Sequence, residues 1–189
     1  MVAKIWLIRK GINDFSSAKS EVFSKSYHDV KRLYLSAFPP RERFPYFCLL
    51  LNSLRSLATC YAYYDKERFV GFAYIIESKE QVFILFLAVN GSVRSKGYGS
   101  MILAQIREYA GRKPLILTIE PVEKDAPNSE QRRQRLSFYE RNGYQLTSHY
   151  YYEGQERYQI LTTEQSIDLE RFQKLVKRAV LGLVPITVQ

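Results

Sequence analysis

Arg94-Ser95-Lys96-Gly97-Tyr98-Gly99-Ser100 follows an almost unbroken apolar run from Val82 to Val89 and precedes a helical pattern that extends to about Ala110. An apolar run of that length reads as a strand buried on both faces, and therefore as a central one. From Tyr98, the residues Ile102, Ile106 and Tyr109 recur at helical spacing, and Gly111 ends the helix. Strand, glycine-containing turn and helix in that order direct backbone N–H groups at an anion. The two glycines let the backbone come close to a phosphate, and Arg94 and Lys96 add positive charge at the same place. A phosphorylated ligand is expected here.

Outward from this loop, the chain alternates helices and strands. His28 to Phe38 places Val30, Leu33, Tyr34 and Ala37 at helical spacing, and Pro39-Pro40 stops that helix. A second helical pattern follows Pro45. Leu57 to Tyr64 and Phe69 to Glu77 read as a hairpin about Asp65-Lys66-Glu67-Arg68. Pro114 to Glu120 is a strand with Leu115, Leu117 and Ile119 on one face and Ile116, Thr118 and Glu120 on the other. Ser129 to Asn142 is a helix capped by Gly143. Tyr144 to Tyr152 and Glu156 to Thr163 form a last hairpin around Glu153-Gly154, and Ile167, Phe172, Leu175, Val176 and Ala179 mark an amphipathic terminal helix. The order describes a mixed α/β layer fold.

A length of 189 residues suggests one domain with a sizeable core, and 46% hydrophobic with 25% charged residues fits a soluble globular protein. No apolar run approaches the roughly 20 residues of a membrane helix. Met1 to Leu7 is too briefly apolar for a signal peptide, so a cytoplasmic location is expected. Cys48 and Cys60 make no metal-type pair, and His28 and His149 are far apart, so neither a metal site nor a histidine-centred triad is expected. A net charge of +9 fits a solvated basic surface, a polyanionic cofactor, an acidic partner or nucleic acid. The chain lacks a helix-turn-helix signature and an RNA-recognition aromatic motif, which argues against the last of these.

Three phosphate patterns compete for the loop. A Walker loop needs Gly-Lys-Ser/Thr after four intervening residues, and the stretch has no such triplet. A dinucleotide fingerprint needs a third glycine where Ile102 stands. Arg94, Gly97 and Gly99 satisfy Arg/Gln-x-x-Gly-x-Gly/Ala. Together with Leu136-Ser137-Phe138-Tyr139-Glu140-Arg141-Asn142-Gly143-Tyr144, one helix and one strand downstream, the chain resembles the GCN5-related N-acetyltransferase superfamily from about His28 to Thr163. Ala37 to Pro45 is similar to an early segment of a bacterial subgroup of such proteins whose substrate is unassigned.

That resemblance implies a central mixed sheet flanked by helices, with the C-terminal helix from about 164 to 183 as an extension. It implies acetyl-CoA as cosubstrate, with the pyrophosphate on the amides of Arg94, Ser95, Lys96, Gly97, Tyr98, Gly99 and Ser100. A backbone N–H near Leu87 to Val89 would face the thioester oxygen and stabilise the oxyanion. Tyr139 would donate to the departing thiolate, and Glu120 would act as base for the acceptor amine. Many members carry an Asn seven residues before the helix tyrosine. Arg132 stands there in this chain, and Asn128, four residues earlier, is the expected counterpart. Some arginines of the Tyr139 helix are expected either to reach cofactor phosphates or to pair with nearby carboxylates. Phe38, Arg41, Glu42, Phe44 and Tyr46 would border the acceptor pocket.

The function so implied is acetyl transfer to a primary amine of a small molecule or protein. The alternative is a catalytically silent CoA-binding module. The terminal helix is expected to pack on the sheet or support a homodimer, and Val184-Pro185-Ile186-Thr187-Val188 to add an edge strand to a partner.

Overall fold

The structure, a computed structural model, describes residues 15–19, 25–54, 57–93, 96–180 and 185–189. Its elements are β1 (Phe15–Lys19), α1 (Lys25–Ala37), a 3-10 turn (Pro40–Glu42), α2 (Tyr46–Leu54), β2 (Ala58–Asp65), β3 (Arg68–Glu77), β4 (Val82–Val89), a second 3-10 turn (Gly91–Val93), α3 (Tyr98–Ala110), β5 (Leu115–Ile119), α4 (Ser129–Arg141), β6 (Gln145–Glu153), β7 (Glu156–Thr162), α5 (Leu169–Ala179) and β8 (Ile186–Val188). The strands form one sheet in the order β1-β2-β3-β4-β5-β7-β6-β8. All neighbours are antiparallel except β4 and β5, which are parallel and joined through α3.

The eight apolar residues of β4 are explained by cover on both faces. Phe83, Phe86 and Ala88 are buried on one side with Val30 and Tyr34 of α1, Leu49 of α2 and Phe172, Leu175 and Val176 of α5. Val82 and Ile84 are buried on the other with Ile102, Leu103 and Ile106 of α3. The expected mixed α/β architecture is therefore the observed one.

Two irregularities of β4 shape the site. Tyr74 of β3 stands opposite Phe86 and Ile75 stands opposite Ile84, so Leu85 is an extra residue in a β-bulge. Leu85 and Phe86 both lie on the α1/α2/α5 side in consequence. The second irregularity is a parting of strands. β4 pairs with β5 only at Val82–Ile84 against Leu115–Leu117, while Thr118 and Ile119 go on to pair with Ile160 and Gln159 of β7. Among the described residues, the rest of β4 has no partner strand on that edge.

Sequence patterning did not mark β1. Only Phe15 of Phe-Ser-Ser-Ala-Lys is a large apolar residue, yet it is buried against Tyr63 and the strand pairs along β2, so the sheet begins before His28. The C-terminal extension is also settled. Phe172, Leu175, Val176 and Ala179 bury α5 on the sheet. β8 pairs antiparallel with β6 of its own chain, Tyr151 opposite Val188 and Glu153 opposite Ile186, so this segment forms the last strand at that edge of the sheet. The helical expectation for residues 181–183, and Val184 itself, lie outside the described residues.

Candidate active site

The start of α3 presents three amides that have no acceptor within the helix. Gly97 precedes the helix with φ +78°, a left-handed conformation that glycine adopts without strain. The first intrahelical bond runs from the Met101 amide to the Gly97 carbonyl, which leaves the amides of Tyr98, Gly99 and Ser100 without an acceptor inside the helix. No side chain caps this end, and no acidic residue lies in the first turn. Lys96 and Ser100 are exposed. Arg94 and Ser95, expected in the same loop, lie outside the described residues.

The open edge of β4 faces the gap left by β5. The Asn90 amide donates to the Val70 carbonyl of β3 at 2.8 Å. Residues of a strand alternate their N–H groups between its two edges. The amides of Ala88 and Phe86 therefore point to β3, and those of Leu87 and Val89 point into the gap. At the other end of β4, the Val82 amide donates to the Pro114 carbonyl on the β5 side. Unbroken alternation from Val82 would send Phe86 and Ala88 to that side instead. The bulge at Leu85 exchanges them for Leu87 and Val89, the two residues expected near the thioester.

α4 closes the other wall. A Cβ placed on Gly99 would lie 2.9 Å from Cζ of Phe138 and 3.7 Å from Cγ2 of Val89, so α3, the end of β4 and α4 meet at that glycine. Tyr139 follows Phe138, with its ring 5.8 Å from that of Tyr144 at 70°. Burial pushes its phenol up to about 12, and the positive charge of Arg135, one turn earlier, opposes part of that rise.

Glu120 lies one residue past β5, where it meets α4. Oε1 accepts from Arg132 Nη2 at 2.9 Å; Oε2 accepts from Arg135 Nη1 at 3.1 Å and from Asn128 Nδ2 at 3.3 Å. The Glu120 and Arg132 side chains are only 12% and 14% exposed. Arg132 also donates to Asn128 Oδ1 at 2.8 Å and to the Pro121 carbonyl at 2.8 Å. Both ends of the Asn128 amide are thus bonded within the protein. Of the two expectations for the α4 arginines, pairing with carboxylates describes Arg132, Arg133 and Arg135.

The opposite face of the sheet carries an aromatic wall. Phe38, Phe44 and Tyr34 surround Phe86, with ring centroids 5.0, 6.1 and 5.0 Å away. Tyr46 packs on Tyr34 at 5.7 Å. The Arg41 side chain lies outside the described residues. On β7, burial raises the Tyr158 phenol, and the negative charges of Glu42, Glu153, Glu156 and Glu120 raise it further. The features that residue spacing did not reveal are the Leu85 bulge and the role of Arg135. The second was readable in principle, because Arg132, Arg135 and Tyr139 recur at i, i+3 and i+7.

Among the described residues, no group of three or more His, Cys, Asp and Glu could hold a metal ion, and no helix is long and apolar enough to cross a membrane.

Comparison with solved structures finds the same fold. A GNAT-family acetyltransferase from Bacteroides thetaiotaomicron is 22% identical, with a TM-score of 0.65 over 83% of this chain and 90% of that one. A GNAT acetyltransferase from Elizabethkingia anophelis, solved with acetyl-CoA bound, is 16% identical, with a TM-score of 0.58 over 81% and 99% of the two chains. An aminoglycoside 6'-N-acetyltransferase complexed with coenzyme A is 14% identical, with a TM-score of 0.59 over 80% and 99%. At these identities the likeness concerns the fold. No curated protein sequence matches significantly. The family model of the acetyltransferase (GNAT) domain matches residues 56–146, a span that runs from β2 to the start of β6 and includes the glycine loop, the parted strands and Tyr139. With that match on this architecture, residues 56–146 of the chain form an acetyltransferase (GNAT) domain.

Proposed function

We propose that the protein transfers the acetyl group of acetyl-CoA to a primary amine of a small molecule or protein. The observation that carries this reading is the convergence at Gly99 of the α3 amides, the open edge of β4 and the helix bearing Tyr139. Coenzyme A fits the residues present. The amides of Tyr98, Gly99 and Ser100, with Lys96 beside them, would hold its pyrophosphate. The gap between β4 and β5 would take the pantetheine arm, and the amides of Leu87 and Val89 would donate to the thioester oxygen. The relatives solved with acetyl-CoA and with coenzyme A support the cosubstrate.

In the transfer, the amine nitrogen forms a bond to the thioester carbonyl carbon, the C–S bond breaks, and sulfur leaves with the electron pair. With Tyr139 at about 12 and a simple thiol near 8.5, full proton donation from the phenol is uphill by about 5 kcal/mol. Tyr139 is therefore assigned as a hydrogen-bond donor to the leaving sulfur, which strengthens as charge builds there. The proton released by the nitrogen passes to solvent. Glu42, Glu153 and Glu156 lie close enough to Tyr158 for their charges to act on it, which puts carboxylates on the opposite face where a basic amine could be received. The aminoglycoside-modifying relative supports an amine acceptor of this kind.

Calorimetry with CoA and a screen of primary amines that follows free thiol release test the reading together. One thiol released per amine acetylated is the expected result. Tight CoA binding without turnover of any amine would replace it by the CoA-binding module.

A further inference from the structure

α4 is held in an unusual way for a helix that carries a reactive side chain. α3 fully buries Ile102, Leu103, Ile106 and Ala110, and α5 fully buries Phe172, Leu175, Val176 and Ala179, whereas the residues of α4 are at most partly buried. Leu136, Phe138 and Tyr139 are only partly covered by the core. The apolar contact that seats the other helices is thus thin here. In its place, Glu120 grips the helix at two points one turn apart, through Arg132 at 2.9 Å and Arg135 at 3.1 Å. Arg132 is fastened again to the Pro121 carbonyl, and Glu123, 3.7 Å from Arg132, is bonded in turn by Arg157 of β7 at 2.6 Å.

We propose that Glu120 is a positioning residue for Tyr139: through Arg132 and Arg135 it fixes where α4 holds the phenol across the gap between β4 and β5, and it does not take the acceptor's proton. A base needs an oxygen free to meet the amine, but both oxygens of Glu120 already accept from cationic or amide donors. Arg135 lies four residues before Tyr139 on the same helix, at the spacing of facing side chains. Its charge acts on the phenol, so the chain of influence runs from Glu120 through Arg135 to Tyr139.

This assignment rests on the acetyl-transfer reading for its purpose but is tested apart from it. The protein is labelled with tyrosine carrying 13C at Cζ, and the Tyr139 resonance is identified by its loss in Tyr139→Phe. Glu120→Gln and Arg135→Gln are each expected to shift that resonance at neutral pH. The double variant is expected to shift it no further than the larger single change, because the two residues act in series. Arg135→Lys is expected to recover part of the shift. An unmoved resonance, or shifts that simply add, would overturn the proposal. Circular dichroism of each variant guards against global unfolding, and Glu120→Asp supplies a milder change, with an intermediate shift expected. With an amine found by thiol release, Glu120→Gln should lower the rate by about tenfold to a hundredfold, the scale of a misplaced group. Its dependence on pH should be retained, and loss of that dependence would make Glu120 the base and sink the assignment. If no amine is acetylated, the functional reading fails while the Tyr139 resonance still decides this one.

Discussion

Gly99 and Phe138 approach so closely that a methyl group on the glycine would sit 2.9 Å from the ring. The glycine is required by its neighbour on another helix, not by its own backbone angles. Gly97, two residues earlier, shows the reverse. Its added Cβ would meet nothing within 4 Å, but its φ of +78° strains any side chain.

These two glycines should therefore fail differently. Gly99→Ala forces Phe138 aside at a cost of about 1–3 kcal/mol and should displace Tyr139 with it. CoA affinity and transfer rate are both expected to fall. Gly97→Ala should cost about 1–2 kcal/mol, and Gly97→Asn less, since Asn tolerates the left-handed conformation. Thermal melts and CoA calorimetry on the three variants check this ranking.

Tyr139→Phe should lower kcat by about a hundredfold or more while acetyl-CoA affinity changes little. Because burial holds the phenol neutral up to about 12, it can give no falling basic limb in the pH–rate profile below about pH 11. A limb found at lower pH belongs to another group and should persist in Tyr139→Phe. Steady-state rates from pH 6 to 10 on both proteins decide the matter.

Stability should decline in alkali. Burial raises the phenols of Tyr34, Tyr46, Tyr63, Tyr74, Tyr144 and Tyr151 above their ordinary value. An unfolded tyrosine ionises near pH 10, so above that pH the unfolded chain binds fewer protons than the folded one. The contribution of these groups is full below about pH 10 and is lost as pH rises beyond it. Urea midpoints at pH 7, 9, 10.5 and 11 should show a fall confined to the last two, accompanied by tyrosinate absorbance.

The C-terminal extension should prove integral to the core. Phe172 is fully buried, with its ring 5.0 Å from Phe83 at 83° and 6.2 Å from Tyr151. Phe172→Ala should destabilise the whole domain by about 3–5 kcal/mol, seen as a single lowered denaturation midpoint.

Much of this architecture was readable in the residues. The run Val82–Val89 coincides with β4, and the glycine loop, α3 and the Tyr139 helix fall where spacing placed them. β1 was not readable, because Ser16 and Ser17 carry no apolar signal and the strand exists through its ladder with β2. The apolar segment at the C-terminus did show its strand character, but patterning cannot say which edge a strand will join, and the strand pairs with β6 of the same chain. Glu120 was legible as a carboxylate at a strand end. Its occupation by Arg132 and Arg135 depends on how α4 is rotated, and a helix with no fully buried side chain leaves little trace of its rotation in the sequence.

The bulge at Leu85 works as a phase shift. Every residue of β4 after it is half a period out of step with those before, so one inserted residue decides which amides look into the gap and which aromatic rings look away from it. If Leu85 were drawn into a regular pleat, Phe86 would turn from the aromatic wall toward α3, and the amides of Leu87 and Val89 would be spent on β3. The register of a single strand, more than the identity of any one side chain, thereby separates an edge that can receive a thioester from one that is closed.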